Sequence, residues 1–374
     1  MRKIEMVDLV NQYEKIKPEV DTAIANVIQK AHFIKGPDVQ EFEKELAQYL
    51  DVKHVIACAN GTDALQIALM ALGLQPGDEV ITPSFTYIAT VEVVALLHLK
   101  PVFVEVNKDT FTIDVSKIEA AITPKTKAIV PVHLYGQSVD MEPLEALAKK
   151  YNLPIIEDNA QAIGSAYTYS NGTTKKTGSM GTIACTSFFP SKNLGCYGDG
   201  GAIMTNDDAL AESIKMIANH GQSKKYYHDV VGCNSRLDTI QAAVLRIKLR
   251  LLDQYCDARR KVADYYDQAF ANHPKITTPA RNKNSKHVFH QYTLLIENSN
   301  RDELIQKLAD VGIPSMIYYP VPAHKQKMFA TLQLDTKELT ITDWLTERVI
   351  SLPIHTEMDE EQLAYITSHF LKFI

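Results

Sequence analysis

The chain has 374 residues, 45% of them hydrophobic and 22% charged, which suits a soluble globular protein too long for one small core; two domains are expected. A net charge of -6 leaves no electrostatic footprint for nucleic acid or an anionic membrane. The five cysteines, Cys58, Cys185, Cys196, Cys233 and Cys256, lack CxxC spacing and read as reduced thiols of a cytoplasmic protein, not as a disulfide framework or a metal site.

The opening MRKIEMVDL lacks the apolar core of a signal peptide, and the most apolar window, VEVVALLHL, is short and holds Glu92 and His98. Glu14 to Ala31 is predicted helical, followed by a break at Gly36-Pro37 and a second helix, PDVQEFEKELAQYL, with its proline at the start. HVIACA is a predicted strand, NGT a turn and DALQIALMAL a helix. DEVITPS, PVFVEV, KAIVPVHL and LPIIED follow as strands, with helices in TVEVVALLHL and MEPLEALAKKYN. This βαβα order predicts a mostly parallel sheet with helices on both faces. TIACTSFF and GAIMTN are further strands, and DDALAESIKMIANHG is a helix ending at Gly221.

The polar stretch QSKKYYHDVVGCNSR then crosses to a long helix starting near Leu237, where Ser235 and Asp238 fit a capping box. Leu237, Ile240, Val244, Ile247, Leu251 and Tyr255 form one apolar stripe along it. A domain boundary is expected near Leu251, giving a large domain over 1–250 and a small one over 251–374. The remainder predicts a strand at HQYTLLIE, a helix from Arg301 to Val311, the loop IYYPVPAH, a helical segment around Trp344 and a closing helix, DEEQLAYITSHFLKF.

Four features sit at predicted strand ends, where open α/β sheets bind ligands. In NGTDAL, the backbone N–H groups of Thr62 and Asp63 open a helix and face an anion, or mark an ordinary helix start. Asp158 closes a buried strand three residues before Gln161, as a cap or a functional carboxylate. Tyr87 is placed to cover a flat ligand, or is a core aromatic. Ser187 precedes the turn carrying Lys192 among glycines 195, 198, 200 and 201. That lysine is a loop residue, or an amine whose pKa falls as apolar walls desolvate it. An anion cradle, an aromatic lid, a buried acid and a lysine together suit pyridoxal 5'-phosphate (PLP). His287 and His290, on a predicted strand, read as packing or surface residues. The Tyr226–Tyr227 and Tyr318–Tyr319 pairs are candidate core aromatics, with Tyr319 beside Pro320 in a loop.

FIKGPDVQEFE, NGTDALQIAL, PSFTYIAT, IIEDNAQAIG, TSFFPSKNLGCYGDGGAI, GCNSRLDTIQAAVL and SLPIHTEMDEEQL together resemble the DegT/DnrJ/EryC1/StrS sugar-nucleotide aminotransferases over nearly the full chain. The resemblance implies the PLP-dependent fold type I, aspartate aminotransferase-like, with a large domain around a mostly parallel sheet and a smaller C-terminal α+β domain. It implies Lys192 as the lysine bonded to PLP, Asp158 as partner of the ring nitrogen and Gln161 as partner of the phenolic oxygen. Thr62, Asp63 and Ser187 match phosphate contacts, and Tyr87 the stacking position. Asn234 matches a residue reaching the phosphate from the neighbouring subunit, implying a homodimer with shared sites.

SFFPSKNLGCYGDGGAI resembles in particular the subgroup aminating carbon 3 of the sugar, and the enzymes for UDP-2-acetamido-2-deoxy-3-oxo-glucuronate in O-antigen synthesis. The likeness departs at IYYPVPAHKQ, where Tyr318 stands in place of a histidine. The implied reaction takes an amine from glutamate and gives it to a 3-keto nucleotide sugar. Arg236, Tyr318 and Tyr319 are the candidate sugar contacts. The rival readings are an aminotransferase for dTDP-3-oxo-6-deoxyhexoses and a non-catalytic sugar-nucleotide sensor on the same fold. A dehydratase on this fold would carry histidine in place of Lys192.

Overall fold

The computed structural model describes residues 2–330 and 339–374. Two helices lead in, α1 (Leu9–Lys30) and α2 (Pro37–Leu50). α1 starts earlier than the predicted Glu14, because Asp8 caps it by accepting from the Asn11 N–H. The large unit then runs β1 (His54–Cys58), α3 (Gly61–Ala71), β2 (Glu79–Pro83), α4 (Ala89–Leu96), β3 (Lys100–Val104), α5 (Val115–Ala121), β4 (Thr126–Ile129), α6 (Met141–Tyr151) and β5 (Ile156–Asp158). A small hairpin, β6 (Ala166–Thr168) and β7 (Thr174–Lys176), precedes β8 (Ile183–Ser187), β9 (Gly201–Thr205) and α7 (Asp208–Ile217).

Parallel bridges Ile129–Ile155 and Val132–Asp158 join the β4 and β5 sides, so seven strands lie in the order β3-β2-β4-β5-β8-β9-β1. Only β9 runs antiparallel to its neighbours. Helix-borne Leu65, Ile67, Ala68, Val93 and Ile214 pack on Ile56, Val80, Ile156 and Ile203 on one face of the sheet, and Phe42, Leu46, Ala242 and Leu245 pack on Val55, Ala57, Ala184 and Ala202 on the other, as the near-continuous apolar strands require. Burial of these strands leaves their C-terminal ends as the places where side chains can meet a ligand.

Several expectations are corrected beyond β9. The stretch after α7 is a hairpin, β10 (Gln222–Lys224) and β11 (Tyr227–His228), with Tyr226 and Tyr227 exposed instead of in the core. The capping box fails: Asp238 is itself the N-cap of α8 (Thr239–Leu249), and the Ser235 hydroxyl accepts instead from the Ala59 N–H across the chain. The long helix is interrupted at Arg250–Leu251 before α9 (Leu252–Ala269), so Leu237 precedes it and Leu251 falls in the break.

The C-terminal region holds β12 (Ile276–Thr277), β13 (Tyr292–Ile296), α10 (Arg301–Asp310), α11 (Thr340–Thr346), β14 (Val349–Leu352) and α12 (Glu360–Phe373). β12-β13-β14 form an antiparallel sheet, packed by α9, α10 and α12 through Tyr266, Leu304 and Phe370. Asp359 and Gln362 make a true capping box on α12. We propose the domain division at the α8–α9 break. α9 enters the large unit's core with Leu252 and Cys256 and the C-terminal core with Val262 and Ala263. Ile4, from the N-terminus, also packs in the C-terminal core. No helix among the described residues is long and apolar enough to cross a membrane.

Candidate active site

Alternation along β5 sends successive carboxylates to opposite faces. Glu157 enters the core, where its Oε2 lies 2.9 Å from His133 Nε2 and the N–H groups of Gly178, Met180 and Gly181 donate to it. Burial alone would raise its pKa, but His133 and those donors outweigh burial and lower it. Val139 donates to His133 Nδ1, which leaves Nε2 as the ring atom that carries a hydrogen toward Glu157. Asp158 faces the other way. Its Oδ2 accepts from the Thr90 hydroxyl at 2.8 Å and its Oδ1 from the Ala160 N–H at 3.1 Å. The second bond closes a turn, since no helix starts here for Asp158 to cap. Burial nevertheless prevails over Thr90, Ala160 and Lys192, and the carboxyl titrates above its ordinary range.

β8 ends at Ser187, and the chain turns so that the Lys192 N–H donates to the Phe189 carbonyl at 2.8 Å. Burial lowers the Lys192 amine to about 8, against an opposing pull from Asp158. Its neutral fraction therefore rises with pH and reaches one half near pH 8, far below an unperturbed lysine. Covalent trapping of Lys192 in the cofactor-free protein by PLP and borohydride is expected to rise through a midpoint near this value. A midpoint at the ordinary lysine pKa would show that the cavity does not desolvate the amine.

Both groups line one cavity of about 840 Å³. Thr62, Asp63, Tyr87, Gln161, Ser187, Tyr318 and Tyr319 line it too. At the start of α3 the predicted pair of free donors is corrected: Asn60 caps the helix and takes the Asp63 N–H at 2.8 Å. Among the described residues no group accepts from the N–H of Gly61 or Thr62, so the anion-facing donors sit one residue earlier. A Cβ at Gly61 would lie 2.7 Å from Ser187 Cβ, and one at Gly201 would lie 2.4 Å from the Asn60 carbonyl, so glycine is required at both points of closest approach.

Tyr87 is 55% exposed, which removes the core-aromatic alternative, and its ring tilts against Tyr319 at 6.0 Å. Gln161 is fixed at both ends, donating to the Tyr319 hydroxyl at 2.9 Å and accepting from the Tyr135 N–H at 2.7 Å. The Tyr135 hydroxyl donates to the Tyr318 carbonyl, holding the two-tyrosine loop against the sheet.

Sequence reasoning missed Thr90, Tyr135, His290 and Gln291. His287 and His290 lie on a loop before β13, not on a strand, and both are buried. His290 lines the cavity; burial and then Lys192 push its imidazole well below the ordinary range, so it is neutral. A hydroxyl three residues past Tyr87 was the one available signal for Thr90. Two expected residues lie elsewhere. Asn234 is exposed, and Arg236 lines a separate cavity with Lys35, Glu43 and Lys215. Neither lines the cavity of its own chain.

The cavity fits PLP on its own chemistry. A buried carboxylate with too few donors suits a protonated ring nitrogen. A desolvated amine suits an aldehyde, an open aromatic face suits a planar ring, and unpaired N–H groups at a helix start suit a phosphate. Fold and cavity together define a PLP-dependent enzyme of fold type I, an aminotransferase. Residues 14–371 match the DegT/DnrJ/EryC1/StrS aminotransferase family, and the chain belongs to it. It is 47% identical over 363 residues to the UDP-2-acetamido-2-deoxy-3-oxo-D-glucuronate aminotransferase of Pseudomonas aeruginosa, covering 97% of this chain and 98% of that protein. It is 46% identical to the UDP-N-acetyl-3-dehydro-alpha-D-glucosamine 3-aminotransferase of Acidithiobacillus ferrooxidans, covering 98% and 96%. Its fold matches the crystal structure of NtdA from Bacillus subtilis with bound cofactor PMP at a TM-score of 0.89, with 32% identity over 100% of this chain and 85% of that one.

Proposed function

We propose that this aminotransferase moves an amino group from glutamate to the carbon-3 ketone of UDP-2-acetamido-2-deoxy-3-oxo-D-glucuronate, for O-antigen synthesis. The observation that carries the reaction type is a desolvated lysine and a buried carboxylate lining one cavity. The names of the two relatives support a UDP-linked 3-oxo sugar.

Bound PLP would supply an electron sink for the pair left when a proton leaves the carbon beside the reacting nitrogen. Lys192, once free, takes that proton and returns it in the second half of the reaction, which its lowered pKa permits near neutral pH. Asp158 holds the ring nitrogen protonated, Gln161 orients the ring and Tyr87 covers it. The N–H groups of Gly61 and Thr62 and the Ser187 hydroxyl hold the phosphate, with Asn234 entering from a second copy of the chain in a homodimer. Two observations support that entry: Asn234 lies outside its own cavity, and the adjacent hairpin and the loop after it expose Tyr226, Tyr227 and Val231. Tyr318 and Tyr319 offer hydroxyls to the sugar.

Among the described residues that line the cavity Lys192 is the sole lysine or arginine, so a sugar carboxylate needs its cation from elsewhere. Arg236 of the second copy meets that need, because a guanidinium holds a carboxylate through two parallel hydrogen bonds that lysine cannot copy. The test compares initial rates for the UDP-linked 3-oxo uronate, its neutral 6-deoxy analogue and a dTDP-linked 3-oxo-6-deoxy sugar. The wild type is expected to prefer the uronate. Arg236→Lys is expected to raise KM about tenfold for the uronate and little for the neutral sugar. Equal losses would assign Arg236 to the diphosphate or the interface, and a preference for the dTDP sugar would replace this substrate by the alternative one.

A further inference from the structure

Lys248 plays no part in the reaction above, yet it is 1% exposed, and among the described residues no carboxylate pairs with it. Lysine is almost never buried in that way, because stripping water from an ammonium costs several kcal/mol. Its Nζ donates to one group, the Gly195 carbonyl, at 2.6 Å, and lies 5.3 Å from the centre of the Tyr197 ring. Seven residues earlier, on the same face of α8, the Gln241 side chain accepts from the Tyr197 N–H at 2.8 Å and donates to the Tyr197 carbonyl at 3.2 Å. A Cβ at Gly198 would come within 3.0 Å of that amide.

Two turns of α8 therefore grip the far limb of the loop that carries Lys192. The grip passes directly to the near limb. A Cβ at Gly195 would lie 2.3 Å from the Pro190 carbonyl oxygen and 2.9 Å from that of Phe189, and Phe189 is the residue whose carbonyl accepts from the Lys192 N–H. Cys196 closes the same arc through its N–H to the Phe188 carbonyl at 2.8 Å. We propose that Lys248, with Gln241, is a positioning residue that fixes where the Lys192 amine points.

This rests on Lys192 being the lysine that bonds PLP. Its neutral amine adds to the aldehyde carbon, a C=N bond forms and water leaves; that step needs the amine at one place. Pyridoxamine phosphate has no aldehyde, makes no such bond and measures the rest of the cavity alone. The test is the affinity of cofactor-free protein for each of the two, by fluorescence titration, in wild type, Lys248→Met, Gln241→Leu and Lys192→Ala, with melting temperatures alongside. Methionine keeps the volume and removes the buried charge, so folding is retained. Affinity for PLP is expected to fall about tenfold in Lys248→Met, the scale of one charge-assisted hydrogen bond, with pyridoxamine phosphate unchanged. Gln241→Leu is expected to repeat the pattern and stands in if Lys248→Met does not fold. Equal changes for both cofactors, or none, would make Lys248 a packing residue and overturn the proposal. If Lys192→Ala binds PLP as tightly as wild type, the assignment of Lys192 itself falls, whatever Lys248→Met does.

Discussion

Replacing Lys192 with alanine is expected to abolish turnover, by about 10^4-fold or more, because one side chain serves both as the covalent anchor and as the acid and base. The variant is expected to keep PLP bound without a covalent link. Asp158, Gln161, the start of α3 and the Tyr87 ring all line the cavity independently of the lysine. Folding should be spared, because among the described residues no hydrogen bond ties down the Lys192 amine, and its backbone N–H to Phe189 survives in alanine. Absorbance after gel filtration reports the cofactor, and borohydride treatment reports the missing covalent bond. Turnover near the wild-type rate would remove Lys192 from the chemistry.

Asp158→Asn is expected to lower the rate roughly 10^2- to 10^3-fold, the scale of losing one preorganised electrostatic partner. Asparagine is nearly the same size, and its carbonyl oxygen can still accept from either Thr90 or the Ala160 N–H, so the end of β5 stays in place. What it lacks is the charge that keeps a pyridine nitrogen protonated. A neutral amide is also easier to bury than a carboxylate that already titrates high, so the melting temperature is expected to hold or rise. Loss of rate with unchanged stability separates a catalytic carboxylate from one that only closes a turn. A near-normal rate would leave Asp158 with the turn-closing bond to Ala160 as its function.

The sequence by itself determined the large-domain alternation of strands and helices, the glycine-rich turn holding Lys192 and the buried strand ending at Asp158. These are local signals. Apolar periodicity, a proline stop and a glycine-permitted turn act within a few residues, and the side chains at parallel strand ends then converge by topology. The tertiary structure decided what depends on distant partners. Ser235 reads as a cap in sequence, yet its hydroxyl meets Ala59. The apolar stripe from Leu237 to Tyr255 gives no sign of a break at Leu251, nor that the chain passes from one core to the other later, within α9, between Cys256 and Val262. Thr90 and His290 join the site only because α4 lies beside β5 and the loop before β13 packs on Tyr135 and Gly136. Lys248 looks like a solvated helix lysine until α8 is laid against the Lys192 turn. Periodicity assigns a residue to a face, but the group opposite that face is chosen by long-range packing, where a buried polar atom must find a partner wherever the fold supplies one.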